Sequence, residues 1–174
     1  MSAHRFIYML AGILLLLSCG SDNNAPIDDP GNTTNHYLQL QPNGLNAIKV
    51  SCTEENFVFP FQIKAVGNGS NQGGEAQINS WSEDELKAYN NKEKTSYVLL
   101  PSSLYSLTST EVSFKEGIST MDVEVKFNPS KVFAEFREKT VEYVIALKLS
   151  SDKIQVRDSQ SRILLSISFD YPTV

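Results

Sequence analysis

The sequence has few of the residues that most catalytic, metal-binding and nucleic-acid-binding sites require. Its 174 residues include two histidines and two cysteines, and 15 Lys or Arg residues stand against 20 Asp or Glu residues. The basic residues form no cluster, and a net acidic chain without one is poorly suited to bind phosphate backbones. We therefore expect no nucleic-acid partner.

The longest apolar run is short and lies near the N-terminus. Residues 6–17 are all apolar or small and follow a single Lys/Arg-type charge, Arg5. A helix that spans a membrane needs about twenty such residues, so this run is too short to span one. A basic start, a short apolar centre and small residues at its end are typical of a secretory signal peptide. We predict that residues 1–18 form this signal and are removed.

The end of the same run predicts a lipid anchor. Leu16-Leu17-Ser18-Cys19 resembles the lipobox of bacterial lipoproteins, which implies cleavage before Cys19 and acylation of its thiol and amino groups. Three acyl chains exceed the two membrane-binding signals that stable anchoring requires. Gly20 departs from the aspartate of an inner-membrane retention signal, and Ser21-Asp22 resembles the start of the surface-export signal of Bacteroidota lipoproteins. These residues favour an outer-membrane lipoprotein at the cell surface and leave a periplasm-facing leaflet open.

Lipidation and cleavage would leave the mature chain with one cysteine and one histidine. Cys52 then has no intramolecular disulfide partner and is expected to be a small apolar strand residue. His36 remains after His4 leaves with the signal, and we expect it to be solvated. One cysteine and one histidine cannot form a Cys/His zinc site, and a triad base beside a flexible tether would not be held rigidly. We predict no metal, no cofactor and no catalytic residue.

Residues 19–35 are predicted to form a lipidated, flexible tether. Residues 20–35 are rich in Asn and Asp and contain two prolines and one large apolar residue, Ile27. Such a segment buries too little apolar surface to fold, and as a flexible coil it would span roughly 22 Å on average. Residues 36–174 are long enough for one domain with a core of its own.

From residue 36 onward, short β-type runs alternate with turn residues. Apolar residues recur at every second position from 57 to 65, which places one side of a strand in a core, and Pro60 predicts a sheet edge or a bulge there. Ser82-Glu83-Asp84-Glu85 matches a helix capping box. Residues 141–149 are apolar on both faces, as in a central strand. Together these runs predict an all-β, immunoglobulin-like Greek-key sandwich with one short helix.

Several short sequences between residues 37 and 169 carry a resemblance to one protein family. They are Glu85-Leu86-Lys87-Ala88-Tyr89-Asn90, the run 97–101, Tyr105-Ser106-Leu107, the strand 112–114 with Glu116-Gly117, and the strand at Tyr143. Together they resemble the lipid-anchored Bacteroidota domain of unknown function that forms the immunoglobulin-like N-terminal part of many surface glycan-binding proteins and some family 18 endoglycosidases. The chain departs from the family at Val144-Ile145, where Leu-Pro is usual. A further domain usually holds the glycan or the catalytic carboxylates, so the resemblance implies a spacer-type domain.

The resemblance implies an accessory or binding module for polysaccharide capture and not an enzyme, with polysaccharide or outer-membrane glycan-uptake proteins as partners. An exposed aromatic ring would be its physical handle, because the apolar face of a sugar packs on an aromatic plane. Trp81 is the one tryptophan. Ala76 and Ile78 lie at even positions and are expected to face the core, whereas Trp81 lies at an odd position, so we predict that it points outward and binds glycan. The alternative is that Trp81 covers the edge of the core beneath the helix.

Two other functions stay open. A pilus or assembly-type subunit would use an exposed edge strand that a partner strand extends. The lack of Lys and Arg between Cys19 and Lys49 disfavours a pilin that matures by cleavage after a basic residue. A glycosidase would need two carboxylates a few ångströms apart, and the sequence singles out no such pair.

Overall fold

Eleven short strands and two short helices make up the described part of the protein. The computed structural model describes residues 36–67, 73–137 and 141–170, all of which belong to the unit Thr33–Val174. The predicted signal peptide (1–18), the lipid attachment at Cys19 and the tether (19–35) lie outside the described residues. No helix in the described ranges is long and apolar enough to span a membrane.

The strands come in chain order with the helices between them. They are β1 (His36–Gln41), β2 (Gly44–Ser51), β3 (Phe57–Gly67), β4 (Gly74–Ser80), β5 (Val98–Leu99), β6 (Tyr105–Leu107), β7 (Glu111–Phe114), β8 (Thr120–Phe127), β9 (Tyr143–Ser150), β10 (Gln155–Val156) and β11 (Arg162–Asp170). The helices are α1 (Glu83–Glu93) and α2 (Pro129–Phe136), and short 3-10 turns cover Ser102–Leu104 and Asp158–Gln160.

The first sheet has five strands in the order β10-β1-β3-β8-β6. In β3, Phe61, Ile63 and Ala65 are buried and the residues between them are half-buried, so the predicted alternation is confirmed. Pro60 lies in the part of β3 that pairs with β8 alone, because β1 pairs only with residues 62–67. The missing N–H of Pro60 is therefore tolerated at a local sheet edge, as predicted.

The second sheet has the order β2-β11-β9-β4-β7, with β5 beside β9. All residues of β9 from Tyr143 to Leu147 are buried. Because alternate residues of a strand point to opposite faces, both faces of β9 are covered. The prediction of a central strand within residues 141–149 is confirmed.

The main core lies between the two sheets, and the predicted two-sheet sandwich is confirmed. Each fully buried aliphatic side chain contributes about 1.5–3 kcal/mol relative to an exposed one. The members of this core that are 0% exposed are Leu38, Leu40, Ile63, Val125, Val132, Leu147, Ile163 and Leu165.

Helix α2 is a second helix that the sequence prediction omits. The Asn128 side chain accepts a hydrogen bond from the Lys131 N–H at 2.8 Å, and Pro129 occupies the first turn. Val132 and Phe136, four residues apart, are 0% and 8% exposed. The prediction of a single helix is wrong, because this cap, the proline and the apolar spacing form another.

Candidate functional site

Trp81, the residue predicted to bind glycan, is buried and 4% exposed. Its indole Nε1–H donates to the Leu147 carbonyl at 3.1 Å, and its backbone N–H donates to the Ala146 carbonyl at 3.0 Å. Trp81 belongs to a different cluster from Ala76 and Ile78, so the predicted alternation is right. The predicted outward orientation is wrong, since α1 covers this face, and the alternative of a core residue beneath the helix is confirmed.

Helix α1 begins at the predicted capping box. Ser82 Oγ accepts from the Glu85 N–H at 3.3 Å, and Glu85 Oε2 accepts from the Ser82 N–H at 2.8 Å. These bonds satisfy two backbone donors that a helix start otherwise leaves unpaired. The helix ends at Glu93, and Lys94 follows in the left-handed conformation with φ of 59°.

A smaller core lies between α1 and the outer face of the six-stranded sheet. Leu86, on the underside of α1, is 2% exposed and packs in one cluster with residues of β9 and β11. We call this group the outer cluster. It consists of Trp81, Leu86, Val144, Ala146 and Leu164, with Tyr89, Tyr97 and Leu99 partly buried against them.

Three aromatic rings form a row in the outer cluster. Trp81 and Tyr89 meet edge to face with ring centroids 5.7 Å apart, and Tyr89 and Tyr97 stack with centroids 6.4 Å apart. The guanidinium of Arg162 lies 5.2 Å from the Trp81 ring centroid, where a cation is attracted to the ring. Both tyrosines are half-buried.

Burial also affects the acidity of the two tyrosines. It raises the pKa of Tyr89 and the pKa of Tyr97 above their usual value, and the carboxylates of Glu93 and Glu142 respectively add to the shift. Both phenols therefore stay protonated at neutral pH and keep an O–H group that can donate a hydrogen bond.

One ion pair fastens α1 to the sheet beneath it. Lys148 Nζ, on β9, lies 2.7 Å from Glu85 Oε1, while Glu85 Oε2 is held by Ser82. The hydrogen bond from Lys148, together with that from the Ser82 backbone, holds the pKa of Glu85 below its usual range. The Glu85 carboxylate thus joins the helix start to the strand that carries Val144 and Ala146.

Asn90 fixes the far end of α1 to the segment that carries Tyr97. Its Nδ2 donates to the Tyr97 carbonyl at 2.9 Å, and its Oδ1 accepts from the Thr95 hydroxyl at 2.8 Å and the Tyr97 N–H at 3.2 Å. One amide side chain thereby makes three hydrogen bonds to the segment that follows α1. The sequence does not indicate this role, because the partners of Asn90 lie in a loop without a recognisable pattern.

A polar groove of about 70 Å³ lies between β4 and the turn after β9. Ser151 Oγ donates to the Glu75 carbonyl at 2.6 Å, and Lys153 Nζ lies 3.6 Å from Glu75 Oε2. Small-molecule sites usually have volumes of roughly 300–1,000 Å³, so this groove is too small to enclose a sugar. Its lining residues are Glu75, Gln77, Ser150, Ser151, Asp152 and Lys153.

The remaining sequence candidates do not form a site. Cys52 is a free cysteine, 8% exposed, which confirms its small apolar role, but it lies in the turn directly after β2 and not in a strand as predicted. His36 begins β1 and is half-buried, with its Nε2 buried and without a hydrogen-bond partner among the described residues, so its side chain is only partly solvated. Within residues 36–67, 73–137 and 141–170, no group of three or more His, Cys, Asp or Glu residues could hold a metal ion.

Solved structures of Bacteroides proteins share this fold. A candidate carbohydrate-binding protein from Bacteroides ovatus has a TM-score of 0.63 at 15% identity, over 76% of this chain and 36% of its own. A multidomain protein from the same species that includes DUF1735 has a TM-score of 0.56 at 15% identity, over 77% of this chain and 45% of its own.

A third similar structure is that of Bacteroides thetaiotaomicron EndoBT-3987 with a Man5GlcNAc product. Its TM-score is 0.56 at 16% identity, over 76% of this chain and 31% of its own. The chain thus spans less than half the length of each of these three proteins, and at such identities the likeness is one of fold.

Sequence comparison identifies the family. No curated protein sequence matches the chain. Residues 29–156, which are more than half of the chain, match a family model described as a “-like, N-terminal domain”. The chain therefore belongs to this N-terminal domain family, and the predicted family resemblance is confirmed.

Proposed function

We propose that the protein is a lipid-anchored module of the bacterial cell envelope that takes part in the capture and use of surface polysaccharides. The observation that carries this proposal is the family match over residues 29–156. A fold shared with a candidate carbohydrate-binding protein and with EndoBT-3987 supports it. In this proposal the domain is an immunoglobulin-like spacer or a weak glycan- or protein-binding domain, and it is not an enzyme.

Neither Trp81 nor the groove beside Glu75 offers an enclosed ligand site. Trp81 is covered by α1, and the polar groove beside Glu75 measures about 70 Å³. A polysaccharide would therefore lie on an exposed face, where it buries little surface and binds weakly. This geometry suits a spacer or a low-affinity contact surface.

Replacement of Cys19 tests the anchor. The wild-type protein should be found in the membrane fraction, and Cys19→Ala should release the folded domain into the soluble fraction. Cys52→Ala is the matched control, because Cys52 is buried within the folded part and its loss should leave the membrane association unchanged. Membrane association of Cys19→Ala equal to wild type would contradict the anchor. If Cys19→Ala is released, protease treatment of intact cells that produce the wild type tests which leaflet carries the anchor.

Retention of labelled polysaccharides by intact cells tests the capture. Cells that produce the wild-type protein should retain at least one polysaccharide better than cells that produce Cys19→Ala, which supply the same domain without its anchor. Equal retention of every polysaccharide would contradict glycan binding and leave the spacer role. Release of reducing sugar by the purified protein would contradict the non-enzymatic assignment.

A further inference from the structure

Strand β2 forms a long open edge of the six-stranded sheet. Its eight residues pair with β11 without interruption, and within the described ranges no strand pairs with its other side. The other outer strands are shorter, with four residues in β7, three in β6 and two each in β5 and β10. A long edge of this kind presents backbone groups that can pair with another strand.

The backbone groups on this edge belong to alternate residues. The Cys52 N–H donates to the Asp170 carbonyl at 3.3 Å, and the Ile48 carbonyl accepts from the Ser168 hydroxyl at 3.0 Å. Even-numbered residues therefore direct their N–H and C=O groups toward β11, because these groups alternate in direction along a strand. The residues of β2 that direct them to the open edge are Leu45, Ala47, Lys49 and Ser51, and the Ser51 carbonyl already accepts from the Glu54 N–H.

The side chains on the edge do little to prevent pairing. Leu45 is 48% exposed, and Ala47 is exposed as well. Lys49 is the one charged residue of β2, and it forms an ion pair with Asp170 on β11. Proteins usually protect such an edge with charged side chains, lysine above all, with a proline or with a bulge. In β2 this protection is limited to Lys49, because its register contains neither a proline nor a bulge.

We propose that β2 is the surface on which two copies of this protein associate, by antiparallel pairing of β2 with β2. A twofold axis at Ala47 places this residue opposite Ala47 of the second copy and Leu45 opposite Lys49 of the second copy. This register brings the outward-directed backbone groups of both copies face to face, as an antiparallel ladder requires. Such a twofold interface uses the same surface on each copy.

The edge is also complementary to itself in its side chains. The exposed Leu45 lies opposite Lys49 of the other copy, whose ammonium group is paired with Asp170 on its own β11. The two Lys49 charges do not lie opposite each other, where like charges would destabilise the pair. Asn46 and Ile48 carry no charge, so the pairing buries no unpaired charge. These features identify a second copy of the chain as the occupant of the edge.

Disulfide formation at the twofold axis tests this proposal. In a hydrogen-bonded antiparallel pair the two Cα atoms lie about 5.5 Å apart, within the range of roughly 4.4–6.8 Å that a disulfide spans. Full-length Ala47→Cys, produced in cells and mildly oxidised, should give a covalent dimer of twice the monomer mass on a non-reducing gel. The wild type controls for Cys19 and Cys52, and Ala88→Cys, at an exposed position of α1, controls for random collision.

A charge at the same position provides a second readout. Ala47→Lys places two like charges opposite each other at the axis, so the purified full-length protein should sediment as a monomer where the wild type forms a dimer. Ala88→Lys should leave the dimer intact, and circular dichroism confirms that both variants are folded. The proposal is wrong if Ala47→Cys cross-links no more than Ala88→Cys, if it cross-links to a protein of another mass, or if Ala47→Lys still forms the dimer.

Discussion

Replacement of Trp81 tests the burial of the outer cluster. The side chain is 4% exposed and donates its indole N–H to the Leu147 carbonyl. Loss of a buried Trp side chain to Ala typically costs about 3–5 kcal/mol. Trp81→Phe keeps much of the apolar contact but removes the donor to Leu147, which costs about 1–3 kcal/mol when the acceptor stays buried. We therefore expect Trp81→Ala to lower the free energy of unfolding by about 3–5 kcal/mol, and Trp81→Phe to lower it by less.

Urea unfolding followed by circular dichroism measures these differences. Val98→Ala, at a 37% exposed position on neighbouring β5, is the matched control and should change the free energy of unfolding by about 0.5 kcal/mol or less. If Trp81→Ala changed stability as little as this control does, the indole would not be buried in solution. The outward-facing ring of the sequence prediction would then be the better description.

Three other predictions concern the two helices. Glu85→Gln should lower the free energy of unfolding at pH 7 by about 0.5–1 kcal/mol. Because the folded pKa of Glu85 is lowered, the difference from wild type should shrink as the pH falls below about 4.5 through that folded pKa, which urea unfolding at several pH values would show. Lys94→Gly should raise the melting temperature, because Lys94 has φ of 59° and the left-handed conformation costs a residue other than glycine about 1–2 kcal/mol. An unchanged melting temperature would contradict backbone strain at Lys94. Asn128→Ala should destabilise the protein by about 1 kcal/mol through loss of the α2 cap, whereas an unchanged urea midpoint would mean that the cap contributes nothing.

Local sequence patterns predicted most of the strands and the start of α1. In β3 the burial of Phe61, Ile63 and Ala65 follows directly from their spacing of two. The capping box at Ser82 and Glu85 is likewise complete within four residues. Such features are set by neighbouring residues, so a short stretch of sequence is sufficient to specify them.

The wrong orientation of Trp81 has its origin in distant contacts. Its indole bonds to Leu147, 66 residues along the chain, and its cover comes from α1 as the helix lies over Val144 and Ala146. The alternation in β4 correctly separates Trp81 from the main core, but alternation does not say whether a sheet face meets solvent or a helix. The position of a covering helix depends on the whole topology.

Helix α2 and the candidate lipid site are different cases. The signal of α2 is local, since Asn128 and Pro129 precede two apolar residues four positions apart. The helix is short and lies between strands, so no extended helical pattern marks it in the sequence. Cys19 is predicted from a motif that enzymes of lipidation read as linear sequence, so its role does not depend on the fold. Its location outside the described residues leaves it a prediction.

The burial of the one tryptophan also gives the protein an optical reporter of its own. Indole emission moves to longer wavelength when the ring passes from an apolar site into water, and Trp81 lies against α1 with the Tyr89 ring centroid 5.7 Å away. Excitation of the tyrosines should therefore reach Trp81 by energy transfer as long as the helix is in place. Circular dichroism follows the sheets, whereas Trp81 emission follows the α1 layer. Loosening of the helix and unfolding of the sandwich would give separate spectral transitions in an unlabelled molecule.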